Sequence, residues 1–246
     1  MEITNKIFQT LSNSPTQNKR EEQIRSFLLS KKDLDFGFTK IETRDESNTL
    51  EYFVSNDYLS LADSNEWMHC PMSPLTAREY MVMNDYLLPT PKMVRQIYFA
   101  SKIKPRAISW GELYKNQEKK YNRDSTKCFL DHSNKIQEQL SNLSYNQGDL
   151  VAGHKKDVVL TNILTNKKYA NNVAIFGWFN ADGTIIQNLN AIDHIVSYVD
   201  YSHGLRMIKN KCILNGKENL LTTIFNDEKY CNLVHDEKLK FLHYGK

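Results

Sequence analysis

Glycine is scarce in this chain, with 9 among 246 residues, and none of them cluster. A phosphate cradle needs several backbone N–H groups free of side chains, and neither GxGxxG nor GxxxxGK[ST] occurs, which weighs against nucleotide-dependent enzymes. GxSxG and HExxH are missing too. Cysteine is sparse: Cys70, Cys128, Cys212 and Cys231 lie far apart with no CxxC, so zinc-finger spacing is absent. Their even number leaves two disulfides open, although nothing in the spacing asks for them. No apolar run approaches the roughly 18 residues of a membrane-spanning helix. The opening MEITNKIFQTLSNSPTQNKREE lacks the apolar stretch of a signal peptide. The chain therefore reads as soluble and, as written, cytoplasmic; an exported protein whose leader had been removed would read the same. A surplus of one charge is also lacking, with 32 basic residues against 29 acidic ones. That balance argues against a nucleic-acid partner, and Glu118 interrupts the one basic cluster, Lys115 to Arg123, as on a solvated helix face.

What is present is ordinary globular composition, 40% hydrophobic and 25% charged. The two halves differ in texture. Residues 1–147 read mainly as helix. NKREEQIRSFLLSKK places Ile24, Phe27 and Leu28 at helical spacing. Ser73–Pro74 and Thr90–Pro91 are N-cap and first-turn pairs, announcing helices from Leu75 to about Asp85 and through Met93, Val94, Ile97 and Tyr98. Ser125 to Leu143 puts Cys128, Phe129, His132, Ile136, Leu140 and Leu143 on one helical face. EYFVSNDYLSL, Glu51 to Leu61, reads as a short strand entering a turn. Residues 148–246 read as strands: DVVLTNIL, NVAIFGWF, TIIQNL and GLRMIKNKCIL are β-branched and aromatic, and NADG is a hairpin turn. KENLLTTIFND is a short helix and CNLVHDEKLKFL a closing helix. The expected fold is a single α+β domain spanning 1–246, a helical first half followed by a mainly antiparallel sheet.

Candidate chemistry concentrates in the strand-rich half. VAGHKKDVV offers His154, Lys155, Lys156 and Asp157; Trp178 follows Gly177; DHIVSYVDYSHGLRM supplies His194, Asp200, Ser202, His203 and Arg206. In an ideal strand Asp200 and Ser202 share one face, Tyr201 and His203 the other, so Asp200 orients His203 only if the chain turns near Gly204. Three readings compete. His203 is a general acid/base whose tautomer an Asp fixes, with Ser202 or a cysteine such as Cys70 as nucleophile. Alternatively His194, Asp200 and His203 hold a metal, zinc suiting such N and O ligands, with His154 or Asp157 completing the set. In the third, Trp178, Tyr198, Tyr201 and Arg206 bind a sugar or peptide without catalysis. The bland alternatives are a hydrogen-bonded core or surface histidine for His154 and His235, a core histidine with one partner for His132, and buried small hydrophobes for Cys128, Cys212 and Cys231.

The blocks VSNDYLSLADSNEWMHCPMSP, LPTPKMVRQIY, FLDHSNKIQEQ, VAGHKKDVVLTN, VAIFGWF with DGTIIQNL, and DHIVSYVDYSHGLRM keep their order from about residue 51 to 208. In them the chain resembles a family of uncharacterised, often exported bacterial proteins that share LPT-x-x-MV, VAGHKKDVV and YVDYSHG-x-R motifs. The resemblance implies one co-folded domain and draws attention to Pro89, Thr90, His132, Lys156, Asp157, Trp178, His194, Asp200, Ser202, His203, Gly204 and Arg206. SHGLRM is also similar, over a few residues, to the SHGC-x-R signature of L,D-transpeptidases. Leu205 stands where their nucleophilic cysteine would be, so cross-linking by that route is not expected.

The resulting expectation is a hydrolase-like enzyme acting on a cell-wall or other peptide- or sugar-containing polymer. His203 serves as general acid/base with Asp200 or Asp157 assisting, and Ser202 stands beside it. Lys156 or Arg206 stabilises developing negative charge. Trp178, Tyr201, Arg206 and His132 contact substrate, and His194 is the metal candidate. The cofactor is none or zinc. The alternatives are a metal-dependent hydrolase built on His194, Asp200 and His203, and a non-catalytic binding or structural module.

Overall fold

In the computed structural model, which describes residues 6–30, 37–62, 67–189 and 192–245, two helices come first: α1 (Lys6–Ser12) and α2 (Gln17–Ser30). Ile24 and Leu28 are buried as their spacing requires, and Phe27 packs against the core from its margin. The final Lys31 and Lys32 of the expected helix lie outside the described residues.

Five strands then appear where the sequence shows one. β1 (Phe38–Arg44) pairs antiparallel with β2 (Thr49–Ser55), and β3 (Ser60–Ala62) pairs with β4 (Trp67–His69). Only Ile41 of β1 is buried, so this half-exposed strand carries almost no apolar alternation to read. Residues 63–66, inside the first family-like block, lie outside the described residues. α3 (Pro74–Met83) and α4 (Pro91–Ala100) start at the expected caps: Ser73 Oγ accepts the Thr76 N–H and Thr90 Oγ1 the Met93 N–H, each at 3.2 Å. Between them lies β5 (Tyr86–Leu87), and beyond them come α5 (Trp110–Leu113) and α6 (Thr126–Asn142). α6 buries Cys128, Phe129, His132, Ile136 and Leu140 along the face its spacing marks, whereas Leu143, expected on the same face, caps the helix end and is exposed.

The second half supplies β6 (Lys156–Val158), β7 (Ile175–Phe179), β8 (Ile185–Gln187), β9 (His203–Gly204), β10 (Ile208–Leu214), β11 (Lys217–Leu220) and α7 (Leu221–Asn226). The fold is thus α+β with mainly antiparallel sheets. One sheet runs β1-β2-β10-β11, with β5 also pairing β10; another runs β8-β7-β6-β9, whose β6–β9 pairing is the parallel one. NADG turns β7 into β8 as expected. A second hairpin went unread: Asn215 and Gly216 take φ of 50° and 78° and join β10 to β11. Two successive left-handed residues make the turn type that Asn-Gly favours. The strand takes the first part of KENLLTTIFND, and α7 takes the rest.

The closing helix is absent. Only a short 3-10 turn, Cys231–Leu233, forms there. The backbone beyond it bonds elsewhere: Leu239 N–H to Phe225 O at 2.9 Å, and Lys240 N–H to Asn162 Oδ1 at 2.6 Å. Tertiary acceptors thus replace the helical ones. The largest apolar core draws side chains from Ile7 through Tyr244, so both halves of the sequence contribute to it.

Candidate functional site

Three segments run side by side beneath the site. Ser55 and Leu59 donate their N–H groups to Met207 O and Leu205 O at 2.8 and 2.7 Å, Val151 N–H reaches Asn56 O at 2.7 Å, and Lys156 N–H reaches Ser202 O at 2.7 Å. The turn after β2, the approach to β6 and the exit from β9 are therefore stitched together by backbone. Gly204 lies where they meet most closely. A Cβ there would sit 2.5 Å from Tyr58 Cδ1 and 2.8 Å from Lys155 Cβ, so no larger residue fits.

The turn after β2 carries Asp57, and β4 carries His69. His69 Nε2 stands 3.0 Å from Asp57 Oδ2, and His154 Nε2 stands 3.7 Å from Asp57 Oδ1. The two imidazoles meet edge to face with centroids 4.9 Å apart. A histidine pair and a carboxylate thus face one another, with one ligand-type atom from each within 4.8 Å of the others. His154 is 0% exposed, and neither of its ring nitrogens has a hydrogen-bond partner. Burial, against the pull of Asp57, drives it well below the ordinary imidazole range, so it is neutral. Burial would raise the Asp57 carboxyl, but the facing His69, with its hydrogen bond, and the nearby His154 and Arg206 outweigh it and hold the group well below the usual carboxylate range. The Asp57 side chain is 23% exposed and lines a cleft of about 560 Å³ with Asn56, Tyr58, Trp67, Tyr145 and Asp149.

Behind this trio the polar groups are closed off. Tyr58 donates its hydroxyl to Asp157 Oδ2 at 2.7 Å, and the Arg206 guanidinium lies 4.1 Å over the Tyr58 ring. Arg206 also donates to Ser55 O at 2.9 Å and Val151 O at 2.7 Å, and its Nε is 3.6 Å from Asp157 Oδ1. Burial pushes the Asp157 carboxyl up to about 6 despite Arg206 and Tyr58. Lys155, fully buried, donates to Tyr201 O at 2.6 Å and lies 3.2 Å from His132 Nδ1. Burial lowers its ammonium to about 8, Asp200 and Asp57 resisting.

The alternation of β6 turns Lys156 away from Lys155 and Asp157, toward the His203 side. There the chain does turn, at Tyr201 and Ser202, but the turn does not bring the Asp200 carboxylate onto His203. Asp200 Oδ1 accepts Ser202 N–H at 2.8 Å and Ser202 Oγ–H at 2.5 Å, and Oδ2 accepts the Tyr198 hydroxyl at 3.3 Å. His203 Nε2 is left 4.0 Å from Asp200 Oδ1, without a hydrogen bond. Burial lowers His203 to about 4, Asp200 notwithstanding. Burial would raise Asp200, but His203, Lys156 and the Ser202 bonds bring it down to about 2. Lys156 Nζ lies 4.8 Å over the Trp178 ring. Trp178 follows Gly177 with φ of 58°, a left-handed conformation that a bulky strand residue rarely adopts.

Of the residues singled out from sequence, the structure gathers two groups. Asp200, Ser202, His203, Lys156, Trp178 and His194 lie on one side; Asp157, Arg206, Tyr201 and His132 lie behind the Asp57 cleft, buried. His194 stacks on Tyr198 at 4.0 Å with its ring centroid 6.4 Å from His203. Among the described residues, His194, Asp200 and His203 do not bring three ligand atoms together; the group that does is Asp57, His69 and His154. His154 reads from sequence as a hydrogen-bonded structural histidine or else a completing ligand, but both its ring nitrogens lack hydrogen-bond partners, and the sequence does not single out Asp57, Tyr58 or His69. They sit in NDYLS and WMHC, far from His154 in sequence, and no spacing rule joins them. The cysteines are all free and buried, and burial pushes the Cys70 thiol up to about 12, unsuited to a nucleophile. No helix among the described residues is long and apolar enough to cross a membrane. Compared with protein-family models, curated proteins and solved structures, the chain matches none.

Proposed function

We propose that this protein is a hydrolase acting on a peptide- or sugar-containing polymer, such as cell-wall material, with its reacting centre at Asp57, His69 and His154. One observation carries the reading: an ionised carboxylate, paired with an imidazole at 3.0 Å, forms part of the wall of an open 560 Å³ cleft. Hydrolysis needs a water positioned and polarised beside a fixed charge, and a substrate-sized recess above it. Trp67 and Tyr145 line the same recess, and flat aromatic walls suit sugar rings and extended peptides. His203 is the weaker centre, since its Nε2 lies 4.0 Å from Asp200, and that carboxylate is buried and bonded to Ser202 instead.

The test is release of soluble fragments from peptidoglycan, a neutral polysaccharide and unfolded polypeptide. Release is expected from one of them, with Asp57→Asn slowing it by about 10²-fold or more and His203→Gln having a much smaller effect. No release from any polymer, or an undiminished rate in Asp57→Asn, overturns the proposal. Saturable retention on a polymer without release favours a non-catalytic binding module instead.

A further inference from the structure

We infer that Asp57, His69 and His154 bind one zinc-type divalent cation at the cleft. This deepens the hydrolase reading, which it would supply with a way to activate water, but the binding itself stands on separate observations. Around a tetrahedral zinc, with bonds of about 2.0–2.2 Å, neighbouring ligand atoms stand about 3.4 Å apart. The Asp57–His69 and Asp57–His154 separations of 3.0 and 3.7 Å, one at each carboxylate oxygen, bracket that spacing, and one ligand atom from each of the three residues lies within 4.8 Å of the others, so side-chain adjustment closes them on a shared centre. Two imidazoles and one carboxylate are a borderline donor set that suits zinc and its neighbours better than magnesium or calcium, which take oxygen ligands.

The second observation is independent of that spacing. An imidazole that ligates a metal offers the lone pair of one ring nitrogen, and interior polar groups almost always find partners. His154 is 0% exposed with both ring nitrogens unpartnered, one of them turned toward Asp57. A cation held between them accepts that lone pair. The neighbouring positive charge is already engaged, since Arg206 binds Ser55 O, Val151 O and Asp157. Three protein ligands leave a tetrahedral ion one open position; Asp57, 23% exposed, lines the cleft, with His69 and His154 buried behind it. His194 and His203 take no part.

The experiment uses the full chain stripped with chelator and dialysed, titrated with zinc calorimetrically and with cobalt by visible absorption. One zinc per chain with a submicromolar Kd is expected, together with cobalt bands of low-coordinate intensity. His154→Ala and the isosteric Asp57→Asn should each weaken zinc by at least 100-fold, with metal-free circular dichroism unchanged in at least one of them. His194→Ala should bind as the parent does. Absence of stoichiometric zinc in the parent chain, or parental affinity in a folded Asp57→Asn, overturns the site. Zinc binding without polymer hydrolysis keeps the site and sinks the hydrolase reading; hydrolysis indifferent to chelator, with no zinc bound, does the reverse.

Discussion

Asp57 and Asp200 each face a histidine, yet one directs its oxygens to imidazoles and the other to its own neighbours. Asp200 lies two residues before Ser202, and the resulting Asx-type turn captures Oδ1 with both the backbone and the hydroxyl of Ser202. His203 is left at 4.0 Å, its Nε2 buried and unbonded. Asp57 has one local bond, from the Tyr58 N–H at 2.7 Å, and keeps Oδ2 for His69. It also reaches the cleft, whereas Asp200 is buried. The same two residue types thus make a fixed structural turn in one place and a centre able to receive a ligand in the other. What separates them is competition for carboxylate lone pairs and access to water.

The sharpest way to break that contrast is to remove what stands behind the open pair. Arg206→Ala abolishes two bonds to carbonyls and the charge beside Asp157. Breaking one partner of a buried pair costs about 3–5 kcal/mol, partly relieved here if Asp157 takes a proton. Denaturant unfolding should show a loss near the lower end of that range; a loss under about 1 kcal/mol would mean the three segments hold without it.

A slightly smaller effect belongs to the closed pair and to acid. His203 is neutral in the folded chain down to about 4 but takes a proton near 6.5 when unfolded. Between those values the unfolded state binds the extra proton, so His203 contributes stability that is complete above pH 6.5 and is lost as pH falls through 4. The span is worth about 3 kcal/mol. Asp157 acts oppositely: raised to about 6, it favours the folded state below about 3.8 and loses that contribution as pH rises through 6. Comparing His203→Gln with the parent removes the Asp157 contribution from the difference. The variant's stability should fall less steeply from pH 7 to 4, and parallel curves would show that His203 is not buried neutral.

The smallest change tests the turn itself. Ser202→Ala deletes the 2.5 Å hydroxyl bond to Asp200 while leaving the backbone one, and should cost about 1 kcal/mol. If the freed Asp200 oxygen then pairs with His203, the imidazole's NMR titration should move upward. An unmoved titration would mean that distance, and not competition, keeps the pair apart.

Local signals in the sequence were reliable. Ser73–Pro74, Thr90–Pro91 and Ser125 each mark a helix start because a cap is settled within four residues, and NADG marks its hairpin for the same reason. β1 was missed because one buried residue, Ile41, is too little pattern to read. The closing helix failed because Phe225 O and Asn162 Oδ1, distant in the chain, claimed its backbone donors. The candidate site divides the same way. His154, Asp157 and Arg206 stand out in the sequence because polar residues crowd apolar strands there. Asp57 and His69 stand in unremarkable surroundings, and their meaning comes from what they face.

The sequence by itself determined the α+β class, the caps, the main hairpin and the enrichment of ionisable groups between residues 154 and 206. Each follows from short-range sterics, hydrogen bonding or the period of burial. Only the tertiary structure decided which histidine meets which aspartate. Asp57 meets an imidazole at 3.0 Å and Asp200 leaves one at 4.0 Å, and backbone pairing among segments 55–59, 151–157 and 203–207 sets those distances across most of the chain's length.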